Sequence, residues 1–175
     1  AKTGHPVYLR LTREKTPIIT SEESPFEIGR SEIFWNSATY RVRPCTPEVA
    51  IIACGPLVYQ CLVTAQQLHE EGVGVIIVNC HTVKPLDTAT LLRVARDCGA
   101  IITVEEHQVH GGLGGAVAEL LAANLPTPIE FVGMPDSFGE SGQPDELLAK
   151  YHMNAPAIKQ AVLRVLRRKV VSKSA

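Results

Sequence analysis

The sequence predicts a three-layer α/β/α sandwich around a mostly parallel sheet, and three observations lead there. Short unbroken apolar runs, "VAIIAC", "GVIIVN" and "AIITVEE", alternate with amphipathic stretches of helical period. Glycine, proline and capping residues punctuate the joins. The chain has 175 residues, 45% hydrophobic and 20% charged, which is enough to bury a core on both faces of such a sheet.

Along the chain, "VYLRL" has the alternation of a short strand, and residues 14–25, with two prolines, several hydroxyls and Glu22-Glu23, read as an exposed linker. "IFWNSATYRVRPCTPE" reads as a hairpin. Then "VAIIAC" predicts a buried strand. "PLVYQCLVTAQQLHEEG" predicts a helix, with Leu57, Val58, Cys61, Leu62, Ala65 and Leu68 on one face between Pro56 and Gly72. "GVIIVN" predicts a strand, and "DTATLLRVARDCG" a helix that Asp87 can cap and Gly99 can end. "AIITVEE", "GGLGGAVAELLAANL" and "PIEFVG" continue as strand, helix, strand. "PDELLAKYH" and "NAPAIKQAVLRVLRRK" close the chain as helices, the second capped by Asn154 and carrying Arg164, Arg167, Arg168 and Lys169 toward its end, where cations suit the dipole and a solvated face.

Seventeen basic and 18 acidic residues are interspersed to a net charge of −1, so no global field draws the chain to nucleic acid or to a membrane surface. The longest central apolar run falls far short of a membrane span, and the N-terminus lacks the apolar core of a signal peptide. Cys45, Cys54, Cys61, Cys80 and Cys98 are odd in number and include no C-x-x-C pair. That excludes a disulfide framework and a structural zinc site by spacing and points to reduced thiols in a cytoplasmic protein. Because residue 1 is not Met and a strand-like segment follows within a few residues, a fragment or a processed chain is expected.

The densest cluster of chemistry-bearing residues is "VEEHQVHGGLGGAV", Val104 to Val117. A dinucleotide fingerprint needs G-x-G-x-x-G; here Gly112 and Gly114 are followed by Val117. A P-loop is excluded because no G-K-[ST] follows. Bare N–H groups of Gly111, Gly112 and Gly114 at a helix start suit an anion, and the same glycines serve a sharp turn and close packing. His107 and His110, with Glu105 and Glu106, lack a third nearby histidine or cysteine and the i, i+4 geometry of a helical metal site. His107 is therefore read as an interfacial or hydrogen-bonding residue and no metal ligand is assigned. No G-x-S-x-G elbow is present.

Taken in order, "PVYLRLTR", "FEIG", "VAIIACG", "VKPLD", "TVEEHQVHGGLGGAVAELLA", "PDSFGESGQPDELLAKY" and the final helix resemble the C-terminal portion of transketolase over almost the whole chain. The related decarboxylating enzymes typically have Glu-Glu-Gly where this chain has Glu105-Glu106-His107, which favours transketolase proper. The resemblance implies three units: residues 1–13 as the last strand of a pyrimidine-binding domain, 14–25 as a linker and 26–175 as the C-terminal domain. It implies an enzyme of the pentose phosphate pathway that moves two-carbon ketol units between sugar phosphates, using thiamine diphosphate and Mg2+. Neither is expected on this chain, because the G-D-G magnesium motif is absent and the cofactor-activating glutamate belongs to a portion before residue 1. No catalytic residue is thus assigned. Partners implied are the N-terminal domains or subunit and a second copy in a homodimer, which this domain mainly supports. One substrate contact is implied, Arg13 in "LTR", as the arginine that grips the sugar phosphate; Arg10 is assigned a structural role. Two rivals stay open: an anion- or nucleotide-binding regulatory module, and the β part of a 2-oxo acid dehydrogenase.

Overall fold

The computed structural model describes residues 4–173; residues 1–3 and 174–175, included in the first and last expected units, lie outside the described residues. Five strands form one sheet in the order β1-β3-β2-β4-β5. The strands are β1 (Glu32–Asn36), β2 (Pro47–Ala53), β3 (Gly74–Asn79), β4 (Ile101–Gln108) and β5 (Ile129–Met134). All neighbours are parallel except β1, which runs antiparallel to β3 at one edge. The helices are α1 (Leu57–Glu70), α2 (Thr88–Cys98), α3 (Leu113–Asn124), α4 (Pro144–Lys150) and α5 (Ala155–Lys173).

Period-2 alternation divides the strand residues between two cores. Val49, Ile51, Ala53, Val75, Ile77, Ile102 and Val104 face α1 and α5, where Leu57, Cys61, Leu68, Ile158, Val162 and Val165 meet them. Ala50, Ile52, Ile76, Val78 and Ile101 face α2 and α3, against Leu91, Val94, Leu113, Val117 and Leu121. The expected three layers are therefore present, with helices on both faces. Local chemistry sets the boundaries: the Asp87 carboxylate accepts from the Thr90 amide at 3.1 Å, and Gly99 ends α2 at φ 66°. Asn154 Oδ1 accepts from the Ala157 amide at 3.2 Å to start α5.

Two expectations need correction, and a third, the strand at residues 7–11, has no neighbour to pair with among the described residues. The predicted hairpin is a single strand: β1 pairs with β3, and residues 37–46 return as a loop over the end of α1. Trp35 and Tyr40 stack there at 4.3 Å rather than facing each other across a two-stranded ladder. Residues 7–11, for all their alternation, join no ladder among the described residues; Val7, Tyr8, Leu9 and Leu11 are exposed at 59, 90, 71 and 78%. The basic end of α5 is not simply solvated. Arg164 and Arg168 pair with Glu130, Arg168 donates to the Ile129 carbonyl at 2.6 Å, and Lys169 donates to the Cys98 and Glu48 carbonyls at 2.6 and 2.9 Å. Arg168 thus covers part of the otherwise open β5 edge.

Candidate functional site

In an open parallel sheet, ligands favour the crevice beyond the carboxyl ends of the strands where strand order reverses. Here α1 carries the chain from β2 outward to β3, and α2 returns it across to β4 on the other side of β2. The crevice therefore lies beyond β2 and β4, and the segment singled out in the sequence, from Glu105 to the start of α3, occupies it.

The chain itself supplies the anion. Glu105, 3% exposed, turns its carboxylate onto the start of α3 and accepts from the Leu113 amide on Oε2 and from the Gly114 amide on Oε1, both at 2.7 Å. A carboxylate is stabilised there by the two charge-assisted bonds and by the positive end of the helix dipole. The glycines make room for it. A Cβ on Gly112 would lie 2.1 Å from Glu105 Oε2, and one on Gly114 would lie 2.7 Å from Phe131 Cδ1 and 2.8 Å from Thr103 Oγ1. Gly111 has φ 78° and turns the loop with no such close neighbour.

His107 is half exposed; its Nδ1 donates to the Gln108 carbonyl at 2.8 Å and stands 3.8 Å from Glu105 Oε2. Glu106 offers its backbone carbonyl to Arg10, whose guanidinium donates at 2.9 Å and ties the N-terminal segment to the end of β4. Arg13, the expected phosphate ligand, has a side chain 94% exposed and pairs with Glu14 at 3.0 Å. The structure brings His107, Gly112 and Gly114 together around Glu105, with Gly111 in the adjoining turn, and among the described residues no hydrogen bond or ion pair joins Arg13 to them. Beyond the loop, a shallow depression of about 500 Å³ is lined by Val83, Lys84, Leu86, Gly115 and Glu119 among others. Cys54, at the end of β2, has its thiol pushed up to about 12 by burial and, secondarily, by the Glu105 charge, which disfavours the nucleophilic thiolate.

Sequence reasoning missed Glu105, which it treated only as a carboxylate near two histidines. The signal was present: a carboxylate at a strand's end followed within ten residues by a glycine-rich helix start. Among the described residues, no three His, Cys, Asp or Glu side chains come together in a way that could hold a metal ion.

The comparisons with known proteins agree with this fold. A profile of the transketolase C-terminal domain matches residues 38–158. A 6-deoxy-6-sulfo-D-fructose transketolase subunit of Clostridium sp. (strain MSTE9) is 38% identical over 164 residues, 94% of this chain and 48% of that protein. A 1-deoxy-D-xylulose-5-phosphate synthase of Trichormus variabilis is 34% identical over 174 residues, 97% of this chain and 26% of that one. Among solved structures, a split-gene transketolase in an inactive β4 tetramer superposes with a TM-score of 0.81 at 37% identity, covering 90% of this chain and 48% of that one. The chain spans about half the length of the transketolase relatives it matches. With most of its length inside the matched domain and its sheet superposing on a solved member, the chain belongs to the transketolase C-terminal domain family.

Proposed function

We propose that this chain is the C-terminal part, or the C-terminal subunit, of a thiamine diphosphate-dependent transketolase, and that its work is to support the assembled dimer. The complete enzyme moves two-carbon ketol units between sugar phosphates. The observation that carries this reading is a family domain whose ligand crevice is filled by its own Glu105, next to an N-terminal segment that leaves Val7, Tyr8, Leu9 and Leu11 unburied. The first feature occupies the amides with which a regulatory module would bind an anion. The second suits a strand that completes a neighbouring domain, since four exposed apolar side chains forgo about 1.5–3 kcal/mol each of available burial.

The residues present do not fit the magnesium diphosphate of the cofactor. No metal-holding group exists among the described residues, and the amides that favour a diphosphate already hold Glu105. The proposal assigns the cofactor chemistry to the remainder of the enzyme. Arg13 is the one residue proposed to reach substrate: its exposed guanidinium, paired among the described residues with the adjacent Glu14, is available to grip a sugar phosphate bidentately.

Likeness to the synthase over 97% of the chain favours a second reading, a decarboxylating enzyme built on the same domain. Donor preference separates the two. The chain is mixed with its N-terminal partner, thiamine diphosphate, magnesium and an aldose phosphate acceptor, and supplied with either a ketose phosphate or pyruvate as donor. Transfer from the ketose phosphate by the mixture, and none by the isolated chain, is expected. Turnover of pyruvate alone would replace transketolase with the synthase reading, and turnover by the isolated chain would overturn the supporting role.

A further inference from the structure

The loop that replaces the expected hairpin builds a second cluster of reactive side chains, remote in sequence from the glycine loop. His69, in the last turn of α1, is buried, and the edges of Trp35 and Tyr40 meet its ring at centroid distances of 5.8 and 4.8 Å. Its Nε2 lies 2.7 Å from the Val42 carbonyl. A carbonyl oxygen only accepts, so Nε2 carries the proton and donates, which leaves the neutral ring with a bare lone pair on Nδ1. Cys45 Sγ stands 3.5 Å from that nitrogen, and its thiol donates to it. The Cys45 amide, donating to the Ser37 carbonyl at 3.1 Å, fixes the residue in this position.

Cys45 differs from the other four cysteines in kind. Cys61, Cys80 and Cys98 are buried, and Cys54, at the end of its strand, is partly exposed as Cys45 is. Burial pushes Cys54 and Cys98 up to about 12 and raises Cys61 and Cys80 as well. None of these four has a histidine partner among the described hydrogen bonds, whereas Cys45 is both partly exposed and paired with a base. His69 also lines a recess of about 300 Å³ with Arg43 and Gln66, which gives a small molecule room on the imidazole side of the pair and a cation for a departing oxygen.

We infer that Cys45 and His69 form a thiol–imidazole pair that makes Cys45 a modification site for small hydroperoxides. His69 Nδ1 takes the thiol proton as the sulfur attacks one peroxide oxygen. The S–O bond forms while the O–O bond breaks, and the departing oxygen takes the proton back from His69. Sulfur is oxidised by two electrons to the sulfenic acid, and the hydroperoxide is reduced to an alcohol, or to water for hydrogen peroxide. Oxidation removes the S–H donor to His69, so the modification acts on the contacts that hold residues 37–46 against α1.

The test treats the native chain with hydrogen peroxide, traps sulfenic acid with dimedone and maps the adducts by peptide mass spectrometry. Cys45 should be labelled about tenfold faster than Cys54, and the difference should vanish in urea, where all five thiols are equivalent. His69→Gln keeps a donor for the Val42 carbonyl but no base, and should slow Cys45 about tenfold while leaving Cys54 unchanged. Equal rates at Cys45 and Cys54 in the native chain overturn the inference, as does an unchanged Cys45 rate in a His69→Gln protein with native circular dichroism. Should His69→Gln fail to fold, the native and urea rates of the unsubstituted chain decide alone.

Discussion

Replacing Glu105 with glutamine tests the central feature of the glycine loop with little change of volume. The carboxylate accepts one amide on each oxygen, from Leu113 and Gly114. In glutamine one of those oxygens becomes an NH2 group, so a donor faces a buried donor, and the helix start loses its countercharge. A hydrogen bond to a charged group contributes about 1.5–3 kcal/mol, and a partly buried charge at a helix end up to about 2 kcal/mol. With one bond lost and the other weakened, Glu105→Gln should cost about 3 kcal/mol, or roughly 6–12 °C in Tm for a chain of this size. Urea denaturation followed by far-UV circular dichroism measures the loss. Glu106→Gln, one residue along and exposed, is the control and should stay within about 0.5 kcal/mol of the parent. A Glu105→Gln protein melting within about 1 °C of the parent would refute the claim that this carboxylate holds the loop and α3 together.

Other outcomes follow from the same geometry. Gly114→Ala drives a methyl to 2.7 Å from Phe131 and 2.8 Å from Thr103 and should destabilise by about 1–3 kcal/mol, while Gly115→Ala, with nothing within 4 Å, should stabilise by up to about 1 kcal/mol; thermal melts of the pair should move in opposite directions. Burial works to raise the Asp87 pKa, but the amides of Ser31 and Thr90 outweigh it and hold the group below its ordinary value. Its contribution is therefore present above about pH 4 and is lost as the pH falls through the lower folded value, so Asp87→Asn should weaken the chain at neutral pH and lose less on acidification, read by melts across pH 2–7. In the assembled enzyme, Arg13→Ala should lower kcat/KM for a phosphorylated acceptor by about 1.5–3 kcal/mol equivalent and leave an unphosphorylated one nearly unchanged, with Arg13→Lys recovering part; equal losses on both would mean that Arg13 only holds the domain junction.

Strands β2 to β4 and helices α1 to α3 were legible because each carries its own period and its own stops, as with Asp87 and Gly99 around α2. Strand β1 was not legible as a lone edge strand. "IFW" and "TYRV" flank a turn-like "NSA" and so imitate a hairpin, but pairing depends on which edge is open. The backbone of β1 is engaged by β3, 40 or so residues away, and "TYRV" is drawn instead onto α1 by the ring contacts of Tyr40 with Trp35 and His69. Residues 7–11 show the converse: alternation specifies a strand but cannot supply its neighbour, and none is present among the described residues. For Glu105, the pattern brought carboxylates, histidines and glycines to one loop. It could not say that the carboxylate would answer the amides, since that depends on how β4 ends against α3 in space.

That internal pairing also bears on what the crevice can bind. An incoming phosphate would have to displace Glu105 from the two amides or settle beside it. Beside it, two unit charges 4 Å apart repel by about 4 kcal/mol at an effective dielectric of 20, and a dianion doubles the cost. Displacement strands a carboxylate in a site 3% exposed, with Gly112 and Gly114 too closely surrounded for the loop to re-form around a larger group. A helix start returns at most about 2 kcal/mol to the new anion, so either route is uphill. The same amides that bind pyrophosphate in dinucleotide folds are here committed to the fold itself, and the free energy they release goes into fixing α3 and the end of β4. The Glu106 carbonyl, held in place next to that fixed carboxylate, is the acceptor that Arg10 reaches from the N-terminal segment. Arg10 thereby ties the N-terminal segment, three residues before Arg13, to that fixed strand end; on the proposed reading, this tether is how the domain supports the substrate contact at Arg13.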